Sequence, residues 1–592
     1  MKIDNSTGEI GKMTESRLIK NDEGYDVFKV PKDPVVKLDS FFVLYEKVIE
    51  ASPRKEGKPS QEIYLDGERL KNIARFVGGV SDEQILTLLD DCKGFHNLVH
   101  SIGVIIKTGK EDAGKINFVL QSYGRENKYE TGTLLRIPCL TDGTEMILEL
   151  GNFQWSEDDD VIGKFAFEFD HPGELAIASV KFYLHDDYKV PEIPMEPPVA
   201  FDSQGYQDMI RRSLLSKGNN HRLKAAIEKA EKGEDVTIAY IGGSITQGAG
   251  AKPIHTHCYA YKSFLKFREM FGKGEGENIH FVKAGVGGTP SELGMIRYER
   301  DILRNGSVKP DIVIVEFAVN DAGDETNGIC YESLCLKILA SENKPAVILL
   351  FSVFENDWNL QDRLSLIGRH YDLPMVSVKD AAVEQFRLTK EEGNIITKRQ
   401  FFYDIYHPTN DGHSIMADCL SNLFLETKNS SRDINDIVID KSPVIGNCFK
   451  DVQLFDRKDN AIDARINFGS FSEADDDLQM VEMDANPFVT PQFPNNWMHT
   501  AASGNESFQL RLNSRSLILV FKDSGNSDFG TADIYVDGQH IKNADPHEVN
   551  WTHCNAVILY QENVCREHHV EIKMAPNNED KCFTILGFGY TL

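Results

Sequence analysis

Between about Ser203 and Leu425 the chain alternates short, unbroken apolar runs with helix-patterned stretches, and few folds accommodate that pattern. The runs VTIAYIG, IHFVKAG, DIVIVEFAV, AVILLFSVF and PMVSV show no in–out alternation. That suits strands covered on both faces. HRLKAAIEKAEKG precedes the first run, and YKSFLKFREMFG and SELGMIRYERDIL lie between later ones. Strands separated by helices predict a parallel sheet with right-handed crossovers. Ligands on such sheets bind at the carboxyl ends of strands, so the residues directly after each run are the functional candidates.

The flanks read differently. From about Asp26 to Tyr188 come FFVLYEKVIEA, INFVLQSYG, GTLLRIPCL, EMILELGNF, KFAFEFD and ELAIASVKFYL, strand-length runs rich in Val, Ile, Phe and Tyr. DEQILTLLDDC is the exception and predicts a short helix. The proline-rich VPEIPMEPPVAFD closes this region as an extended linker. After about Ile434 strand grammar returns in SLILVFKD, TADIYVDGQHI, NAVILY, HHVEIKM and FTILGFGY, with Asp537-Gly538 as a hairpin turn. The expected architecture is α/β, a central parallel sheet between helices, flanked by N- and C-terminal β-sandwiches of jelly-roll type. The expected boundaries are 1–198 for the first sandwich and linker, 199–430 for the α/β domain and 431–592 for the second sandwich.

Several roles are disfavoured by composition. The 592 residues carry 64 basic and 92 acidic side chains, a net charge of -28. Such a field repels phosphate backbones, so no nucleic-acid partner is expected. No apolar run reaches spanning length, so no membrane partner is expected either. The opening MKIDNSTGEIGKMTESRLIK contains no apolar signal-peptide core, and the ten cysteines form no C-x-x-C pair. The expectation is a cytoplasmic chain with free thiols. A homo-oligomer held through the sandwiches is compatible with all of this.

Four post-strand loops carry the chemistry. After VTIAYIG comes Gly243-Ser244-Ile245-Thr246, where small residues let the chain turn sharply and present a serine. After IHFVKAG comes Gly285-Val286-Gly287-Gly288, whose glycines allow close backbone approach to a substrate. After DIVIVEF comes Asn320, whose amide is a neutral donor suited to an oxyanion. Finally Asp404-Ile405-Tyr406-His407 sets an aspartate three residues before a histidine, close enough to fix its tautomer. Each alone is an ordinary turn or cap; the four together are far more specific.

Ser, Gly, Asn and His in that order resemble the SGNH (GDSL-like) hydrolase superfamily over about Val236 to Leu425. The resemblance implies Ser244 as nucleophile, His407 as general base and Asp404 as its orienting partner. It implies an oxyanion hole from the Ser244 N–H, the Asn320 amide and the Gly288 N–H, with Gly287 the alternative to Gly288. It implies no cofactor. The family usually has asparagine where Lys283 stands. The block reads G-G-S-I-T rather than G-D-S-L, a variation found among carbohydrate-active members, and it lacks the G-x-S-x-G elbow of α/β-hydrolases. IGGSITQGAGA, GGTPSELGMIRYERD, VEFAVND and FYDIYHPTNDGH look like the multidomain acetyl xylan and acetyl mannan esterases of gut bacteria. The implied substrate is an acetylated xylo- or manno-oligosaccharide.

Other features point less sharply. His255-Thr256-His257-Cys258 matches no standard zinc spacing, so no metal is expected, and His257 is a candidate substrate contact. Trp358 could stack on a sugar ring, as could Trp155, Trp497 and Trp551, although core packing is the more common use of tryptophan. The competing functions are a lysophospholipase- or thioesterase-like acyl hydrolase and a non-catalytic carbohydrate-binding protein on the same scaffold. An intact Ser244, Asn320, Asp404 and His407 set weighs against the latter.

Overall fold

The computed structural model describes residues 19–20, 26–28, 38–54, 57–109, 115–193, 196–458 and 464–592. They fall into two compact units, Met1–Val199 with Lys398–Ile405, and Ala200–Thr397 with Tyr406–Leu592.

The first unit contains two four-stranded antiparallel sheets. One has the spatial order Ser40–Glu50, Leu175–Leu184, Val99–Lys107, Met146–Glu149, and the other Ser60–Tyr64, Asp159–Glu168, Lys115–Gly124, Leu134–Leu140. Their apolar faces share one core built around Phe118, Phe165, Phe167 and Phe182. Burying each such ring contributes about 1.5–3 kcal/mol. The short helix expected in DEQILTLLDDC is Glu83–Thr87, and a second helix, Cys92–Leu98, begins at the segment's last residue. The Asp91 carboxylate caps that second helix at Gly94 N, 2.6 Å away. The Lys398–Ile405 segment belongs to this unit although its sequence lies within the α/β stretch. The buried Lys47 ammonium donates to the Arg399 and Phe402 carbonyls at 2.7 and 2.8 Å.

The second unit is organised on a six-stranded sheet of order Leu214–Ser216, Met375–Ser377, Ala346–Phe351, Ile312–Glu316, Val236–Gly242, Ile279–Gly285. The first strand is antiparallel and the other five are parallel. Numbered along the chain, the parallel strands run 2-1-3-4-5, so the order reverses beside Val236–Gly242. In doubly wound sheets that reversal opens a crevice at the carboxyl ends. The register aligns those ends, with Gly242 opposite both Gly285 and Glu316. Buried Arg297 binds two strand-end carbonyls, Gly242 O at 2.9 Å and Ala284 O at 2.8 Å. Its charge is met by Asp301 at 3.2 Å. Burial works to raise the Asp301 carboxyl, but Arg300 and Arg297 more than offset it and hold it below its ordinary value.

The rest of the unit is an antiparallel arrangement of eight strands plus a two-stranded ribbon, Met480–Glu482 with Val489–Pro491. NAVILY and HHVEIKM, separate strands by sequence pattern, lie in one strand, His553–Met574. The polar QENVCRE between them reads as a loop because both its faces are largely exposed, yet its backbone stays extended. Asp537 and Gly538 both have positive φ, 51° and 78°, as a two-residue hairpin turn requires. The C-terminal strands do not close on a private core alone. Phe449, Val452, Leu478, Ile518, Val520 and Leu586 join Ile241, Val286, Ile296 and Val315 in one apolar cluster. Gly589 sits so near helix Ser291–Asp301 that a Cβ would fall 2.7 Å from Ile296.

Candidate active site

Ser244 opens a single helical turn, Ser244–Gln247, directly after the central strand. His413 secures the backbone just beyond. Its Nδ1 accepts from Tyr259 N at 3.1 Å, so Nε2–H donates to Ala249 O at 3.1 Å. Burial pushes His413 down to about 3 and keeps it neutral for this role. Beneath the turn Thr246 donates to Glu316 Oε2 at 3.2 Å and pairs with the Tyr259 hydroxyl at 2.8 Å. Ser352, after the next strand, bonds the other Glu316 oxygen. Burial drives the Glu316 carboxyl up to about 7, against the pull of its hydroxyl partners.

His407 Nε2 lies 3.0 Å from Ser244 Oγ, the geometry a general base needs. The residues joined by that bond are separated by more than 160 positions in sequence. Asp404 stands three positions before His407, near the end of the Lys398–Ile405 segment, and is half-buried.

Asn320 begins a 3₁₀ turn after the Ile312–Glu316 strand. Its Oδ1 is buried without a hydrogen-bond partner among the described residues. The amide packs on Gly243, where a Cβ would stand 2.1 Å from Oδ1 and 2.8 Å from Nδ2. Asp321 beside it accepts from Ser291 N at 2.7 Å and Ser291 Oγ at 2.9 Å, anchoring the turn.

The glycine loop is held from two sides. Gly287 N donates to Gln247 Oε1 at 3.0 Å, and Gly287 O accepts from Gln479 Nε2 at 2.8 Å. Gly288 has φ +74°, and a Cβ there would meet His553 Nε2 at 2.7 Å and Trp551 Cζ2 at 3.0 Å. Only glycine fits. Lys283, in the place where the resembled family has asparagine, is fully buried and donates to Gln247 O at 2.7 Å. That bond satisfies a carbonyl at the end of the Ser244–Gln247 turn.

Aromatic side chains lie near both His407 and the glycine loop. Trp358 is 37% exposed and stacks on Phe354, which meets Tyr406 edge-on, and Tyr406 in turn meets His407. Trp551 is 40% exposed beside Gly288, whereas Trp497 is core and Trp155 binds Leu150 O through Nε1. His257 Nδ1 lies 2.9 Å from the Thr256 hydroxyl of its own turn. Burial, then Lys262, lowers its pKa. His553 is buried and pushed down to about 4. Its Nδ1 pairs with Asn555 Oδ1 at 2.8 Å, and Asn555 donates onward to Asp523 at 3.0 Å.

Among the described residues one group could offer metal ligands, the buried Glu292, Asp324 and Cys330, with ligand atoms within 4.8 Å of one another. Burial, then Asp324, drives Glu292 up to about 9, so it carries a proton at neutral pH.

Sequence reasoning named Ser244, Gly288, Asn320 and His407 but missed Gln479, His553 and Glu316. Glu316 sat in view within VEFAVND. Gln479 and His553 come from another region of the chain, and no local spacing ties them to Gly287 or Gly288.

A serine, a histidine and an asparagine side chain thus lie at the reversal point of a doubly wound sheet. Residues 240–415 match the model of the GDSL-like Lipase/Acylhydrolase family. No curated protein matches the chain. Among solved structures it is similar to a two-domain esterase (CEX) active on acetylated mannans. Identity is 25% and TM-score 0.55, over 65% of this chain and 99% of that one. The same esterase co-crystallised with mannopentaose matches at 26% identity and TM-score 0.54, over 65% and 98%. No helix among the described residues is long and apolar enough to cross a membrane.

Proposed function

We propose that the chain is a carbohydrate O-acetyl esterase that removes acetyl groups from oligosaccharides through an acyl-enzyme on Ser244. The observation that carries this reading is the 3.0 Å approach of His407 Nε2 to Ser244 Oγ, flanked by the Asn320 amide and the Gly287-Gly288 loop. Ser244 Oγ attacks the acetyl carbonyl carbon while its proton passes to His407 Nε2. The negative charge on the former carbonyl oxygen is met by the Ser244 N–H, the Asn320 amide and the Gly288 N–H. Gly287 already gives its own N–H to Gln247, which favours Gly288 over Gly287 as the loop's donor. His407 then protonates the departing sugar oxygen. Water, deprotonated by the same nitrogen, attacks the acetyl-serine and releases acetate. Asp404 is assigned the orienting role at His407 from its place three residues earlier in the chain.

The similar esterase acts on acetylated mannans, which supports manno-oligosaccharides ahead of xylo-oligosaccharides as substrates. Exposed Trp358 and Trp551 suit sugar stacking, and no cofactor is needed for the steps above. All ten cysteines are free thiols and seven are buried, which supports a reducing compartment such as the cytoplasm.

The test is acetate release from acetylated manno- and xylo-oligosaccharides, with a long-chain acyl ester alongside. The expected result is fast release that Ser244→Ala abolishes while the fold is kept. Turnover of the long-chain ester alone would replace this reading with a lipase-like one, and no turnover of any ester would replace it with a binding protein.

A further inference from the structure

The oxyanion loop is gripped by a residue that the α/β domain does not supply. Gln479 lies beside the C-terminal ribbon and is 7% exposed. Its side chain reaches Gly287 O through Nε2 at 2.8 Å, and its Oε1 accepts from Cys554 N at 3.1 Å. Its own carbonyl accepts from Gln492 N at 2.9 Å. The amide therefore has both ends engaged and cannot turn over without breaking a buried bond.

Gly287 C=O and Gly288 N–H belong to one planar peptide group and point in opposite directions. Whatever fixes the carbonyl oxygen fixes the N–H. The two flanking residues are glycines, so their own dihedrals restrain this plane less than any other pair would. Gln247 holds the preceding peptide through Gly287 N, and Lys283 holds Gln247. Neither reaches the Gly287–Gly288 plane itself; Gln479 does. A hydrogen bond onto the carbonyl also polarises the group and strengthens its N–H as a donor.

We propose that Gln479 is a positioning residue of the oxyanion hole, fixing the direction of the Gly288 N–H by holding the Gly287 carbonyl. This rests on the reading of Gly288 as an oxyanion donor. The C-terminal β region is then part of the catalytic apparatus through a backbone contact, independent of any sugar contact it makes.

The experiment compares the full chain with Gln479→Leu and Gln479→Glu, with Ser244→Ala and Asn320→Ala in parallel. Substrates are an acetylated manno-oligosaccharide and 4-nitrophenyl acetate, which has no sugar to bind. Gln479→Leu is expected to lower kcat ~10–100-fold on both, with KM changed by less than about twofold, a milder loss than removing a donor outright. In Gln479→Glu a carboxylate faces the carbonyl. Its activity relative to the parent chain should rise as pH falls and the carboxyl, raised by burial, regains a proton to donate.

A Gln479→Leu enzyme within twofold of the parent in kcat, beside a crippled Asn320→Ala, would overturn the proposal and leave the esterase reading intact. So would a rise in KM alone, which would make Gln479 a substrate contact. If Gln479→Leu fails to fold, the Gln479→Glu ratio decides, and a ratio flat with pH overturns the proposal. Activity surviving in both Ser244→Ala and Asn320→Ala would mean that the esterase reading itself is what failed.

Discussion

Asn320 occupies the space that any side chain at position 243 would need, with Oδ1 2.1 Å from where a Gly243 Cβ would stand. Gly243→Ala must therefore displace the amide proposed to meet the oxyanion. The expected loss in kcat is roughly 10²–10³-fold, that of removing one such donor, with KM little changed. Combining it with Asn320→Ala should add almost nothing, since both act on one group. Steady-state kinetics of the single and double variants checks this; additive losses would show that Gly243 acts elsewhere.

His407 and Asp404 should separate in severity. His407→Ala removes the nitrogen 3.0 Å from Ser244 Oγ and should cost on the order of 10⁴–10⁶-fold in kcat. Asp404→Asn removes only charge and orientation and should cost less. Measuring kcat for both on one acetyl ester settles the order. A worse Asp404→Asn would mean that the two roles are misassigned.

Glu316 predicts a pH dependence of stability. Burial raises its folded-state pKa to about 7, above the ordinary carboxyl value. Its contribution is therefore complete below the unfolded-state pKa and is lost as pH rises through about 7. Gln keeps partners for Thr246 and Ser352 without the charge. Glu316→Gln should gain stability relative to the parent between pH 5 and pH 8, by on the order of 2–3 kcal/mol at most. Thermal melts at both pH values check it, and an unchanged difference would show that the carboxyl does not titrate in this window.

The sheet and its loops were legible in the sequence because each rests on local pattern. Strands buried on both faces leave unbroken apolar runs, so VTIAYIG and AVILLF announce themselves, and Ser244, Gly288 and Asn320 follow strand ends directly. Features that depend on distant neighbours left no such mark. Gln479 stands in a run of acidic residues with nothing to distinguish it. The strand His553–Met574 was read as two because its middle is polar, although hydrogen bonding to Phe508–Asp523 along most of its length keeps it extended. Lys398–Ile405 is held in part by Lys47, some 350 positions away, which no periodicity could reveal.

The apolar cluster that joins the parallel sheet to the C-terminal strands has a practical consequence. A chain cut near residue 430 would not yield a trimmed enzyme. It would strip Ile296, Val286 and their neighbours of Val452, Leu478, Ile518 and Leu586, and leave an oily wound on the sheet. Residues 200–397 with 406–592 should therefore denature in a single cooperative event. Shuffling the C-terminal region between relatives as a detachable cassette would cost the host its own core.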